Sequence, residues 1–180
     1  MRVVAGELKG RRLASPPRGA DVRPTADRVR EAIFSMLGDV GGARVLDLYC
    51  GTGAMAIEAL SRGAAAATLV DVSIALAERN VADLGLAERC RLERSDALRF
   101  LRRDQGRYGL VLCDPPYRLA DRLEGKLETL IAPRMERSGL LVAESAARRP
   151  LRIRLPARAE RTYGDTHVGV YELNGEAPDA

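Results

Sequence analysis

The feature that most constrains this chain is a regular alternation of short apolar runs and helix-length segments between Arg44 and Ala143. Arg44–Tyr49 reads as a buried strand, followed by a Gly-rich turn and a helix over Ala54–Ser61. Ala67–Asp71, Cys90–Glu93 and Tyr108–Cys113 repeat the strand pattern, and helices are predicted over Ser73–Leu84, Ala97–Arg103 and Asp121–Ile131. Gly139–Ala143 and His167–Leu173 supply two further strands. Such alternation predicts an α/β fold, a mostly parallel sheet with helices on both faces. In that architecture ligands lie beyond the carboxyl ends of the strands, at the point where strand order reverses.

The acidic and glycine residues fall at those ends. Asp47-Leu48-Tyr49-Cys50-Gly51-Thr52-Gly53 carries a strand into a tight turn that opens a helix, and glycine there lets the backbone pass close to a ligand. Asp71 follows Gly51 by twenty residues, at the next strand end, where an acid holds ribose hydroxyls. Read alone, this pattern fits NAD and S-adenosylmethionine equally. Asp47 tips the balance, because a carboxylate there would repel a pyrophosphate and suits a sulfonium and an ammonium. Asp96 is placed either to accept from an adenine amino group or to cap the helix after it. Asp47, Tyr49, Gly51, Gly53, Asp71 and Asp96 are therefore the candidate cofactor residues.

Asp114-Pro115-Pro116-Tyr117 is the strongest chemical signal. The lone pair of an exocyclic amino group on a base is delocalised into the ring, so the nitrogen is a poor nucleophile. The Asp114 carboxylate and the Pro115 carbonyl offer two acceptors that draw the group toward tetrahedral geometry, and the prolines fix the carbonyl direction. Tyr117 offers a ring for the base to stack on, which requires the base to be unpaired or flipped out.

Charge narrows the partner. Formal net charge is +4 over 180 residues, yet residues 1–30 hold eight basic side chains against three acids. Arg2, Lys9, Arg11, Arg12, Arg23, Arg28 and Arg30 are candidate nucleic-acid contacts. Arg2–Ala5 and Arg11–Ala14 read as a basic strand pair, and Thr25 as the cap of a helix with Val29, Ile33, Met36 and Leu37 inward. A second basic run, Arg148 to Arg161, reads as a solvated face, and His167 as structural. The three cysteines lack metal-ligand spacing, so no metal is expected. With neither a signal-peptide pattern nor an apolar membrane span, a cytoplasmic protein is expected.

At these residues the sequence resembles a known family. The Gly-rich turn with Asp114–Tyr117 resembles the amino methyltransferases that act on adenine N6, guanine N2 or glutamine. Arg23-Pro24-Thr25-Ala26-Asp27-Arg28-Val29-Arg30-Glu31, the opening Arg2-Val3-Val4-Ala5-Gly6 with Lys9-Gly10-Arg11, and Glu58–Ala64 are similar to the bacterial 16S rRNA (guanine(966)-N2)-methyltransferase family over about residues 1–173. The resemblance implies a Rossmann-like seven-stranded methyltransferase sheet with its last strand antiparallel and a basic N-terminal β-hairpin. It also implies S-adenosyl-L-methionine as cofactor and 16S rRNA, in the small subunit or an assembly intermediate, as partner. Many relatives carry Phe where this chain has Tyr117. The expected organisation is a hairpin extension over 1–22, a methyltransferase domain over 23–174 and a disordered tail over 175–180, acting as a monomer without membrane attachment. Adenine-N6 methylation of RNA or DNA fits the tetrapeptide equally, and a NAD-dependent oxidoreductase would use the Gly-rich turn but leave Asp114–Tyr117 unexplained.

Overall fold

A computed structural model describes residues 1–16, 27–116, 119, 123 and 125–173. Helix α1 (Asp27–Leu37) precedes strand β1 (Arg44–Leu48), and α2 (Ala54–Ser61), β2 (Ala66–Asp71), α3 (Ala75–Asp83), β3 (Cys90–Arg94), α4 (Ala97–Arg103) and β4 (Tyr108–Cys113) follow in strict alternation. Then come α5 (Lys126–Ile131), β5 (Met135–Ala146), β6 (Ala157–Tyr163) and β7 (Thr166–Glu172). Among the described residues the sheet has seven strands in the order β3-β2-β1-β4-β5-β7-β6. β1 to β5 pair in parallel, and β7 runs antiparallel to both β5 and β6.

Two apolar layers sandwich the sheet. Val45, Leu69, Leu110 and Val142 point to one side, where Ile33 and Phe34 of α1, Ile57 and Leu60 of α2 and Ala77 and Val81 of α3 cover them. Leu46, Leu48, Val111 and Leu141 point to the other, under Phe100 and Leu101 of α4 and Leu127 and Ile131 of α5. The near-continuous apolar strands read from the sequence are what a sheet buried on both faces requires.

Three features add to or depart from the expectations. The run around Arg158 and Arg161 is mostly solvent-exposed, as expected, and also forms strand β6 at the sheet edge, which was not expected. An edge strand buries too little to show apolar alternation, so the sequence pattern passes over it. β5 starts at Met135, four residues before its predicted start, across a register shift between Tyr108 and Leu110. The inward face of α1 consists of Arg30, Ile33, Phe34 and Leu37, one step away from the predicted face, with Val29 and Met36 only half-buried. The Thr25 cap, Arg23, Tyr117, most of residues 117–124 and the tail from 174 lie outside the described residues.

The N-terminal strand pair is docked onto the fold. A single antiparallel bridge joins Arg2 to Arg12, flanked by backbone bonds from Val3 to Arg11 (3.0 Å) and Leu13 to Met1 (3.1 Å). Val3 and Leu13 enter the core. The fully buried Glu58 carboxylate of α2 accepts from the Val4 and Ala5 N–H groups at 2.7 and 2.9 Å and from Arg62 Nε at 2.8 Å. Arg30 Nε lies 3.5 Å from Glu58, and Arg30 also donates to the Arg2 carbonyl and to Asp27 (2.9 Å). Arg30 is therefore no RNA contact: its side chain is completely buried, and together with the closer Arg62 it places positive charge beside Glu58.

Removing one member of a buried ion pair leaves the other charge uncompensated. Glu58→Ala should lower unfolding free energy by about 3–5 kcal/mol in urea titrations, and a loss below ~1 kcal/mol would show that the pair carries no such role.

Candidate active site at the strand ends

Strand order reverses between β1 and β4, and the predicted site residues gather there. The register sets Leu48 beside Cys113, so Asp47 and Asp114 sit on adjacent strands one residue to either side of that level. Asp47 is 4% exposed and accepts from the Ala56 N–H at 3.1 Å, in the first turn of α2. The positive end of a helix suits a carboxylate there. Burial, with repulsion from Asp114 and Asp71, nevertheless pushes its pKa up to about 8. Burial also pushes Asp114 up to about 6. Two buried carboxyl groups raised above the ordinary range would ionise more readily beside a positive charge.

The turn after β1 is built for close approach. Tyr49 has φ 61°, a strained conformation for a residue with a side chain, followed by Gly51 at 53° and Gly53 at 74°. The Gly53 N–H closes the turn on the Cys50 carbonyl at 2.7 Å. A Cβ at Gly53 would meet Leu69 Cδ2 at 2.8 Å, so packing of the turn onto β2 demands glycine. At Gly51 a Cβ would meet nothing within 4 Å, so the turn faces open space there. The positive φ also brings Tyr49 onto the same side of the sheet as Leu48, and among the described residues its buried hydroxyl has no hydrogen-bond partner.

Asp71 stands at the end of β2, where one oxygen accepts from Gly51 N–H and the other from Ser73 N–H, each at 2.9 Å. It anchors the glycine turn, and each oxygen keeps a further lone pair for a ligand hydroxyl. Asp96 caps α4 by accepting from Arg99 N–H at 2.9 Å, the structural role among its two expected ones. Asp114 leads directly into Pro115, which is buried, and Pro116, which is exposed. Tyr117 falls outside the described residues.

One residue of this constellation escaped the sequence reading. Asn80 of α3 is 1% exposed. Its amide nitrogen donates to the Thr52 carbonyl of the glycine turn (2.9 Å) and to the Ala14 carbonyl (3.2 Å), and its oxygen accepts from Ala14 N–H (2.7 Å). A single side chain thus ties the candidate cofactor turn to the N-terminal hairpin. The signal available was a polar residue at an apolar-periodic position, between Ala77 and Val81. Of the basic residues expected to meet nucleic acid, Arg2, Lys9, Arg11, Arg12 and Arg28 are exposed. Arg11 also donates to the Asp83 carbonyl at 3.2 Å.

Residues 1–172 match the model of a protein family described as conserved hypothetical protein 95. The chain belongs to this family. It is 36% identical to a Bacillus subtilis protein named "Putative rRNA methyltransferase YlbH", over 97% of this chain and all of that one. It is 38% identical to Escherichia coli ribosomal RNA small subunit methyltransferase D, across 66% of this chain and 61% of that protein. A solved structure described as a "Putative methyltransferase" of Escherichia coli superposes with a TM-score of 0.81 at 30% identity, covering 97% of this chain and 99% of the other. The fold of this family member is the Rossmann-like methyltransferase sheet.

Asp47 and Asp114 bind protons more tightly in the folded chain than in the unfolded one, where the carboxyl value is 3.8. Their contribution to stability is complete below about pH 4 and is lost as pH rises through about 6 and then about 8. Ligand-free protein should therefore melt at a lower temperature at pH 8.5 than at pH 6. Asp47→Asn, which keeps an acceptor for Ala56, should flatten that decline, and an unaltered slope in the variant would discredit the raised value.

Proposed function

We propose that this chain transfers a methyl group from S-adenosyl-L-methionine to the exocyclic N2 of a guanine in 16S rRNA, in the small ribosomal subunit or its precursor. The observation that carries the reading is the placement of Asp114 and the buried Pro115 at the end of β4, beside Asp47 and across the switch point from the glycine turn. Whole-length similarity to a protein named as an rRNA methyltransferase supports the substrate class.

The site suits this cofactor on its own terms. The raised carboxyl of Asp47 would be ionised by a cationic ligand, the turn at Gly51 has room for a ligand to lie against it, and the unpartnered Tyr49 hydroxyl has hydrogen-bonding capacity to spare. Asp47, Tyr49, Gly51, Gly53 and Asp71 would hold it, with Asp96 combining capping and binding. When bound, the sulfonium supplies an electrophilic methyl group.

The remaining chemistry belongs to the chain. Asp114 and the Pro115 carbonyl accept hydrogen bonds from the two amino hydrogens and localise the nitrogen lone pair for attack. As the N–C bond forms and the S–C bond breaks, the nitrogen must shed a proton. With its pKa raised to about 6, Asp114 is ionised at neutral pH yet basic enough to take that proton. Tyr117 would stack on the base, and Arg2, Lys9, Arg11, Arg12, Arg23 and Arg28 would hold the RNA backbone. Adenine N6 offers the same amino chemistry, so the choice of guanine rests on the family resemblance.

Methyl transfer from labelled S-adenosylmethionine to small subunits from cells lacking this protein, followed by nucleoside mass spectrometry, tests the reading. Label should appear in N2-methylguanosine. Label in N6-methyladenosine would keep the site chemistry and remove the assignment. Asp114→Ala should cut single-turnover transfer by at least about 10²-fold while S-adenosylhomocysteine still binds. Wild-type transfer should decline on the acid side as Asp114 protonates, and a variant with wild-type turnover would defeat the mechanism.

Exchanging Lys9, Arg11 and Arg12 for alanine should weaken RNA binding and flatten its dependence on salt by about 0.7 per lost phosphate contact on a log–log plot. An identical salt slope would place RNA elsewhere.

A further inference from the structure

The arginine-rich segment after β5 has no part in the chemistry above, and the sheet register shows where it stands. Leu48 of β1 pairs with Cys113 of β4, Cys113 with Ala143 of β5, Ala143 with Gly169 of β7 and Gly169 with Glu160 of β6. At this level β4 gives way to Asp114. The outer three strands do not stop there: β5 continues to Ala146, β7 begins at Thr166 and β6 ends at Tyr163. Three further residues at ~3.3 Å each make a wall about 10 Å high on the flank of the site, beyond the level at which β4 gives way to Asp114.

Two turns cap this wall and are joined. Ala147 N–H donates to the Asp165 carbonyl at 2.8 Å, and Arg149 N–H to the Ala146 carbonyl at 2.9 Å. Gly164, at φ 59°, completes the tight β6–β7 turn. Arg148 and Arg149 are exposed on one turn, and Arg161 is exposed near the end of β6. Arg161 donates to the Glu160 carbonyl at 2.8 Å, which uses one of the five N–H donors of a guanidinium. Tyr163 is half-buried, packed against the core with part of its surface open at the rim. The acids of the wall are three: Asp165 is exposed on the β6–β7 turn, Glu160 accepts from Tyr171 Oη at 3.0 Å and lies 3.5 Å from His167 Nε2, and Glu144 is buried. The wall therefore presents three exposed arginines against one exposed acid, Asp165, together with one aromatic ring, on the flank of Asp114.

We propose that the turns 146–149 and 163–166 form a second RNA-binding surface, which grips the single strand flanking the target nucleotide. Arg148 and Arg161 meet its phosphates, and the Tyr163 ring stacks on a neighbouring base. This rests on the RNA-methyltransferase reading. The hairpin and the wall rise from separate parts of the chain, so the surface is independent of the N-terminal cluster.

The test uses full-length protein and rRNA extracted from small subunits of cells lacking it. RNA affinity is measured against salt, and the stabilisation of each variant by S-adenosylhomocysteine is recorded alongside. The double variant Arg148→Ala/Arg161→Ala should lower the log–log salt slope by about 1.4 and weaken binding at 0.1 M salt roughly tenfold or more. Arg148→Lys/Arg161→Lys should restore the slope. Tyr163→Leu, which preserves apolar packing, should weaken binding about five- to a hundredfold with little change in slope. Arg44→Ala/Arg137→Ala, near the amino ends of β1 and β5 and so at the opposite end of the strands from the wall, should leave both quantities unaltered. Should the double variant lose its stabilisation by S-adenosylhomocysteine, Arg148→Ala alone, on an exposed turn, carries the test with a slope change of about 0.7. A wild-type slope in the Arg148 and Arg161 variants overturns the second surface and leaves the wall a solvated edge. Failure of wild-type protein to bind or methylate the RNA would instead remove the reading beneath it.

Discussion

The structure turns on one buried contact, the Asp47 carboxylate against the first-turn N–H of Ala56. A carboxylate in so dry a position is costly unless something positive faces it. Here the amino end of α2 provides part of that compensation, and it can do so only if the chain reverses within a few residues after β1. That requirement explains the strained Tyr49 and the two left-handed glycines. It also aims α2 back across the sheet, where its apolar residues cover Val45 and Leu69. Strand, turn and helix are thus one solution to the placement of a single buried carboxyl group.

From α2 the consequences reach the N-terminus. Glu58 lies two residues further along that helix and holds the hairpin backbone through Val4 and Ala5, while Asn80 holds it through Ala14 and grips the Thr52 carbonyl at the same time. Hairpin and glycine turn consequently share one partner, Asn80 of α3. Displacement of either would strain buried hydrogen bonds of the other, which gives the basic arm a defined position relative to the strand ends. Arg30 completes the set as the internal counter-charge of Glu58.

The electrostatics of the site follow from topology. Parallel strands bring their carboxyl ends to one edge, and Asp47, Asp71, Asp96 and Asp114 all fall near that edge. Burial holds Asp47 and Asp114 above the usual carboxylate range, and repulsion from Asp114 and Asp71 adds to it at Asp47. Outside this acidic floor the surface changes sign, with exposed arginines on the hairpin and on the β5–β7–β6 wall. An acidic floor beneath basic rims suits a cationic ligand below and a polyanion above.

The sequence by itself determined the α/β class, the order of the central elements and the strand-end residues. These are local properties: apolar runs, glycine at a turn and prolines after an aspartate are all encoded within a few positions. Only the tertiary structure decided the fate of Arg30, because its burial depends on Glu58, twenty-eight residues away, arriving beside it. The same holds for Asn80, whose three partners come from two distant segments. β6 was invisible to periodicity because an edge strand buries little, and its pairing with β7 arises from backbone hydrogen bonds that side-chain pattern does not record. The wall beside Asp114 was equally hidden, since its height is a property of register, and register exists only between strands that have already met.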